Sequence, residues 1–163
     1  MRRLVAINPY DLTPLLITAN TLAEQGVPER VIDLVPTVKE SGDEDAMNTI
    51  GQILVNAASS VAGQNLAKAD SLSQAALDAG MTQEVLVTYA NYFIGANMFD
   101  RVRTLSASVR QTRSCEEARE YQAVLTRAKP ALEAASQSTN EQIRNFTAST
   151  IGPVNQELQA IPE

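Results

Sequence analysis

Apolar residues recur at helical spacing along most of the chain, and no stretch of useful length reads as a strand. Residues 48–62 place Ile50, Ile53, Leu54, Ala57 and Val61 along one side of a helix. Residues 66–79 do the same with Ala69, Leu72, Ala76 and Leu77, after a turn at Gly63-Gln64-Asn65. Residues 116–135 carry Ala118, Tyr121, Val124, Leu125, Ala128 and Leu132 on a third such segment, with a bend expected near Pro130. The polar punctuation agrees. Asp11 can cap a helix that holds Pro14 in its first turns and ends at Gly26, and Pro28 suits the opening turn of the next. Pro36 lies inside that second helix and is expected to kink or shorten it. A loop at Ser41-Gly42-Asp43-Glu44-Asp45 supplies acidic residues to a helix start, and Gly80-Met81-Thr82 separates the next pair, with Thr82 as cap. A capping box at Thr139 and Gln142 opens a helix with Ile143 and Phe146. Gly152-Pro153 is expected to break it before a short last helix over residues 154–161.

The helices repeat. Residues 18–38 align with residues 89–109 at an offset of 71, pairing Ala19 with Ala90, Asn20 with Asn91, Leu22 with Phe93, Leu34 with Leu105 and Val38 with Val109. Gly26 falls opposite Asn97, and these two residue types best tolerate a left-handed turn. The offset is close to twice a unit of about 34 residues. A middle copy over residues 48–79 fits, with a one-residue slip between its turn and its second helix.

These positions resemble the tetratricopeptide repeat. Its pattern of a large, a small and an aromatic residue, a small turn residue, an aromatic and a small residue falls on Leu15, Ala19, Leu22, Gly26, Pro28 and Val31 in the first unit. In the second it falls on Ile53, Ala57, Ser60, Gly63, Leu66 and Ala69, and in the third on Leu86, Ala90, Phe93, Asn97, Phe99 and Val102. Asn8-Pro9-Tyr10-Asp11 is similar to the proline junction between repeats, which makes residues 4–7 the tail of a preceding helix and the chain a piece of a larger protein. The expected fold is all-α: an α-α superhelix of about three stacked hairpins over residues 1–113, with residues 114–163 as helices capping the stack in the same domain. Its physical basis is that one helical hairpin cannot bury its apolar face alone, so hairpins pile up. Small residues at Ala19, Ala57 and Ala90 would let the first helices lie close, while Leu22, Phe93 and Phe99 fill the wedges.

Composition narrows the function. Across 163 residues there is no His and one Cys, and none of the 7 glycines sits in a phosphate-binding motif. That removes His-based triads, His or Cys metal sites and glycine-rich nucleotide loops. No catalytic residue, cofactor or metal is expected, and the chain is read as not an enzyme. Asp43, Glu44 and Asp45 lack the ligand spacing of a calcium loop, and Cys115 reads as a passive thiol. Asn145-Phe146-Thr147 has only the form of a glycosylation sequon. The net charge of −6 arises within residues 1–98, where 11 acidic side chains meet 5 basic ones. Such a surface does not suit nucleic acid. Arg101, Arg103, Arg110 and Arg113 stand against a lone Asp100 and read as a solvated helix face. No window approaches the ~18 apolar residues of a membrane span, so no membrane insertion is expected. Compartment stays open between the cytoplasm and a periplasm-facing domain.

The expected function is non-catalytic: a protein-interaction or scaffold module that holds a peptide or protein segment. The resemblance implies a concave groove lined by Leu16, Asn20, Ala23 and Glu24 in the first unit. Leu54, Ala58 and Val61 would follow from the second, and Glu84, Val87, Asn91 and Ile94 from the third. Tyr92 is the expected exposed anchor. Asn20 and Asn91 could hydrogen-bond an extended backbone, donating and accepting through one amide. The family's carboxylate-clamp members place Lys where Leu16 stands, so a C-terminal carboxylate is not the expected ligand. Two alternatives remain. The opening Ile7-Asn8-Pro9-Tyr10-Asp11 is similar to tetratricopeptide tails of bacterial envelope glycan ligases or polymerases, which implies a regulatory domain of a larger membrane enzyme. The other is a structural domain that forms homo-oligomers through its open N-terminal face.

Overall fold

A computed structural model describes residues 11–112 and 115–160. Residues 4–7 and Asn8-Pro9-Tyr10, expected as a helix tail and a repeat junction, lie outside that range, as does Arg113. The described residues are all-α and contain no strand. Helix α1 (Thr13–Glu24) is followed by a 3-10 segment (Pro28–Leu34) that runs into α2 (Val35–Ser41). Then come α3 (Glu44–Ala62), α4 (Leu66–Asp78), α5 (Glu84–Thr112), α6 (Cys115–Ser136) and α7 (Glu141–Ala160). Consecutive elements pack as antiparallel hairpins. α1 also rests on α3, and α3 on α5, so the first helices of successive hairpins lie side by side.

The early boundaries follow local chemistry. Gly26 leaves α1 with φ 78° and Gly42 closes α2 with φ 68°, both in the region where a side chain is strained. Asp43 accepts a hydrogen bond from the Ala46 N–H at 3.0 Å, and Asn65 accepts one from Lys68 N–H at 2.9 Å, capping α3 and α4. Pro36 does not kink a helix interior. Residues 28–34 are wound as a 3-10 segment, and Pro36 sits in the first turn of α2, where no N–H is needed.

Thr82 is not the cap of α5. Its hydroxyl donates to Glu44 Oε1 at 2.8 Å, while the Thr82 N–H donates to Asn48 Oδ1 at 2.8 Å. The half-turn before α5 is thereby pinned to α3 by a buried amide. Directly below, Gly51 leaves room for Met81, whose Sδ would stand 2.8 Å from any Cβ added there.

The third unit departs most from the sequence reading. Asn97 forms no turn; α5 runs straight through it for 29 residues, about 43 Å at ~1.5 Å per residue. The reason is tertiary. Asn97 is buried and its Nδ2 donates to Asp70 Oδ2 on α4 at 2.8 Å, so the amide serves a neighbouring helix and not a backbone turn. On either side of it, Ile94, Met98 and Val102 meet Tyr121, Val124, Leu125, Ala128 and Leu132 of α6 in one apolar cluster. The return arm of the third hairpin is therefore α6. Gly95 makes this pairing close: a Cβ there would stand 2.7 Å from Leu132 Cδ2.

Two further expectations change near the C-terminus. Helix α7 is capped by Asn140, whose Oδ1 accepts from Gln142 N–H at 2.9 Å, and not by Thr139. It also continues through Gly152-Pro153 to Ala160. Ser149, Gly152 and Pro153 are all exposed, so the hydrogen bond that Pro153 cannot make is lost on the outer side of α7 and not in the core. Pro130 is likewise exposed inside an unbroken α6.

The core forms two adjoining clusters with α5 as their common wall. Ala90 and Phe93 belong to the first, with Ala19, Val31, Val38, Ile50, Leu54 and Ala58; Ile94 and Met98 belong to the second. Ala19 and Ala90 are both fully buried, so the two alanines of the repeat are core seats. In the first helix of the middle unit the fully buried alanine is Ala58, with Ala57 only partly buried.

Candidate functional site

Among the described residues a concavity runs between α1 and α3. One hollow, about 300 Å³, lies among Asn20, Ala23, Glu24, Pro28, Asn56, Ala57, Ser60 and Val61. A second, about 460 Å³, lies among Thr13, Leu16, Ile17, Thr49 and Gln52. Asn20, Ile53 and Asn56 border both, so the hollows form one groove along the helix axes. Its length is set by α1: 12 residues, or about 18 Å at ~1.5 Å per residue, the reach of five or six residues in an extended strand.

The groove arises because both helices turn an apolar stripe inward and leave a second, mixed stripe outward. On α3 the inward stripe is Ile50, Leu54 and Ala58, all fully buried. The outward one is Thr49, Gln52, Ile53, Asn56, Ala57 and Ser60. Ala57 lacks bulk, so the floor between α1 and α3 stays open. Side-chain amides line the walls at Asn20, Gln52 and Asn56, with hydroxyls at Thr13, Thr49 and Ser60. Asn20 Nδ2 donates to Glu24 Oε1 at 2.8 Å, which holds that carboxylate over the groove's end.

Of the residues expected to line a groove, Leu16, Asn20, Ala23, Glu24 and Val61 do border it. Leu54 and Ala58 do not: both are fully buried, because the middle unit is turned one residue from the expected register. Ile94 is also buried, covered by α6 where a returning second helix was expected to leave it open. Tyr92 is no exposed anchor. It is half-buried, edge-on to Phe146 of α7 with ring centroids 5.3 Å apart, and 5.2 Å from Phe93. Val87 packs against the first core cluster, and Glu84 is exposed at the start of α5. Asn91 spends its Nδ2 on the Val87 carbonyl of its own helix at 2.8 Å.

Thr49, Gln52, Ile53, Asn56, Ala57 and Ser60 were missed as lining residues. Ile53-Ala57-Val61 and Ile50-Leu54-Ala58 are both apolar stripes at helical spacing, so periodicity cannot choose between them. Only the polar neighbours Thr49, Gln52 and Asn56 mark the outward side.

Apart from the groove, and sharing no lining residue with it, α4, α5 and α6 meet over a polar cleft that contains Asp70, Gln74, Asn97, Arg101 and Arg127. Its charges answer one another. Asp70, nearly buried, accepts from Arg127 at 2.8 Å and from Asn97, and Arg101 pairs with Glu120. The Asp70 bonds tie the second hairpin to the third, as a Lys68–Glu29 bridge of 2.8 Å ties the first to the second, while Arg101–Glu120 links the two arms of the third. The hydrogen bond from Lys68 holds the exposed Glu29 carboxyl below its ordinary range. Among the described residues no group of His, Cys, Asp or Glu has the geometry of a metal site, and no helix is long and apolar enough to cross a membrane.

No protein-family model, curated protein or solved structure matches this chain.

Proposed function

We propose that this chain is a non-catalytic interaction module, of tetratricopeptide type in its first two hairpins, that holds an extended segment of another protein between α1 and α3. The observation that carries this reading is the groove itself: about 18 Å of mixed apolar and amide surface, walled by Asn20 and Asn56 and floored by Ala57. Amide side chains offer a donor and an acceptor together, which matches the alternating N–H and C=O groups of an extended backbone. The small floor leaves room for alternate side chains of the guest.

Two substitutions test it. Ala57→Arg places a long cation across the floor from a partly buried seat beside the core, so a thermal melt first shows that the variant is folded. Ser71→Arg, exposed beside the polar cleft and outside the groove's lining, is the control. In quantitative pull-down mass spectrometry, Ala57→Arg is expected to lose at least ten-fold of the specific partner signal, and Ser71→Arg to keep it. Identical partner profiles for the wild type and Ala57→Arg would remove the groove from the account.

A further inference from the structure

Resting on that reading, we infer that the guest is a neutral-to-basic peptide, with a Lys or Arg at the end that lies against Glu24. The two helices that build the groove carry no basic residue: α1 reads TPLLITANTLAE and α3 EDAMNTIGQILVNAASSVA. Their charges are Glu24, Glu44 and Asp45, and Glu24 alone of the three borders the groove. An acidic guest therefore meets no cation on either wall and one carboxylate at the end. A cation on the guest meets a carboxylate already oriented by Asn20, at 2.8 Å. The middle of the groove, with Ile53, Asn56 and Ala57, is uncharged and selects small apolar or polar side chains instead.

The preference should be modest and local. Glu24 is exposed, and an exposed ion pair is worth roughly a two- to five-fold change in affinity, weakened by salt. The interaction sets direction as well as strength, because one charged end gives an extended guest a single favoured orientation.

The probe is a phage-displayed library of random decapeptides, selected against the full chain as wild type, Glu24→Gln, Glu24→Lys and Ala57→Arg. Selected peptides are then synthesised and titrated by fluorescence anisotropy at low and high salt, with thermal melts confirming that each variant is folded. The expected result is enrichment of Lys or Arg at one terminal position on the wild type. Affinity for those peptides should fall two- to five-fold in Glu24→Gln, and selection on Glu24→Lys should turn to Asp or Glu. Groove-dependent peptides with no charge preference, or a cation preference that survives Glu24→Lys, would overturn the inference and leave the binding reading intact. If no selected peptide is sensitive to Ala57→Arg, the binding reading fails and this inference with it. A wild-type dimer abolished by Ala57→Arg would assign the groove to a second copy of the chain, and would equally overturn the inference.

Discussion

Leu132→Ala is expected to destabilise the protein by roughly 2–5 kcal/mol, toward the upper part of that range. Leu132 is fully buried and sits on the bare backbone of Gly95, where α6 approaches α5 too closely to admit a Cβ. Truncation leaves a void that the opposing glycine has no side chain to fill, and the two helices cannot collapse further without disturbing Met98 and Leu125. At about 2–4 °C per kcal/mol for a chain of this size, the melting temperature should drop by several degrees at least. Ile17→Ala is the internal control. Ile17 is 62% exposed, so its truncation should stay within about 0.5 kcal/mol. Urea denaturation of the pair measures both, and equal midpoints would contradict the packing described for α5 and α6.

The second large effect is expected at Ala90. Its methyl group is fully buried where α5 joins the first cluster, so a larger side chain has no solvent to turn into. Ala90→Trp should overpack this seat and cost at least about 1–3 kcal/mol, or prevent folding. The measurement is again the denaturation midpoint, with soluble yield recorded beside it. A neutral outcome would mean that α5 does not approach α3 and α4 as closely as the structure has it.

These two residues also show what the sequence could and could not reveal. Ala90 was legible, since it recurs with Ala19 at a fixed offset, and both prove to be core seats. Helices α1, α3 and α4 were legible too, because Gly26, Gly42 and Asn65 act through their own backbone or nearest neighbours; the second helix, expected to open at Pro28, is instead a 3-10 segment leading into a short α2. The Leu132–Gly95 contact was not. It depends on α5 continuing past Asn97, and that is decided by Asp70, 27 residues away in sequence. An asparagine that suits a turn locally is held in a helix by a distant carboxylate. Gly152-Pro153 misled for a related reason: a helix tolerates proline where the lost hydrogen bond lies on its outer side. The groove lay between these extremes. Leu16, Asn20 and Glu24 were placed by the resemblance to the tetratricopeptide repeat, whereas α3 carries two apolar stripes and only packing decides which is buried.

The position of the groove depends on α5 being one rod. A turn at Asn97 would free Ile94 from α6 and extend the concave face over a third hairpin; a continuous helix ends that face at α1 and α3. The most direct test is a distance between spin labels at Val85→Cys and Ala107→Cys, both exposed positions, in a Cys115→Ser background. A continuous α5 places the two backbone sites roughly 33 Å apart, at ~1.5 Å per residue. A hairpin folded at Asn97 would bring them to about 10 Å, the spacing of packed helix axes, and would contradict the account.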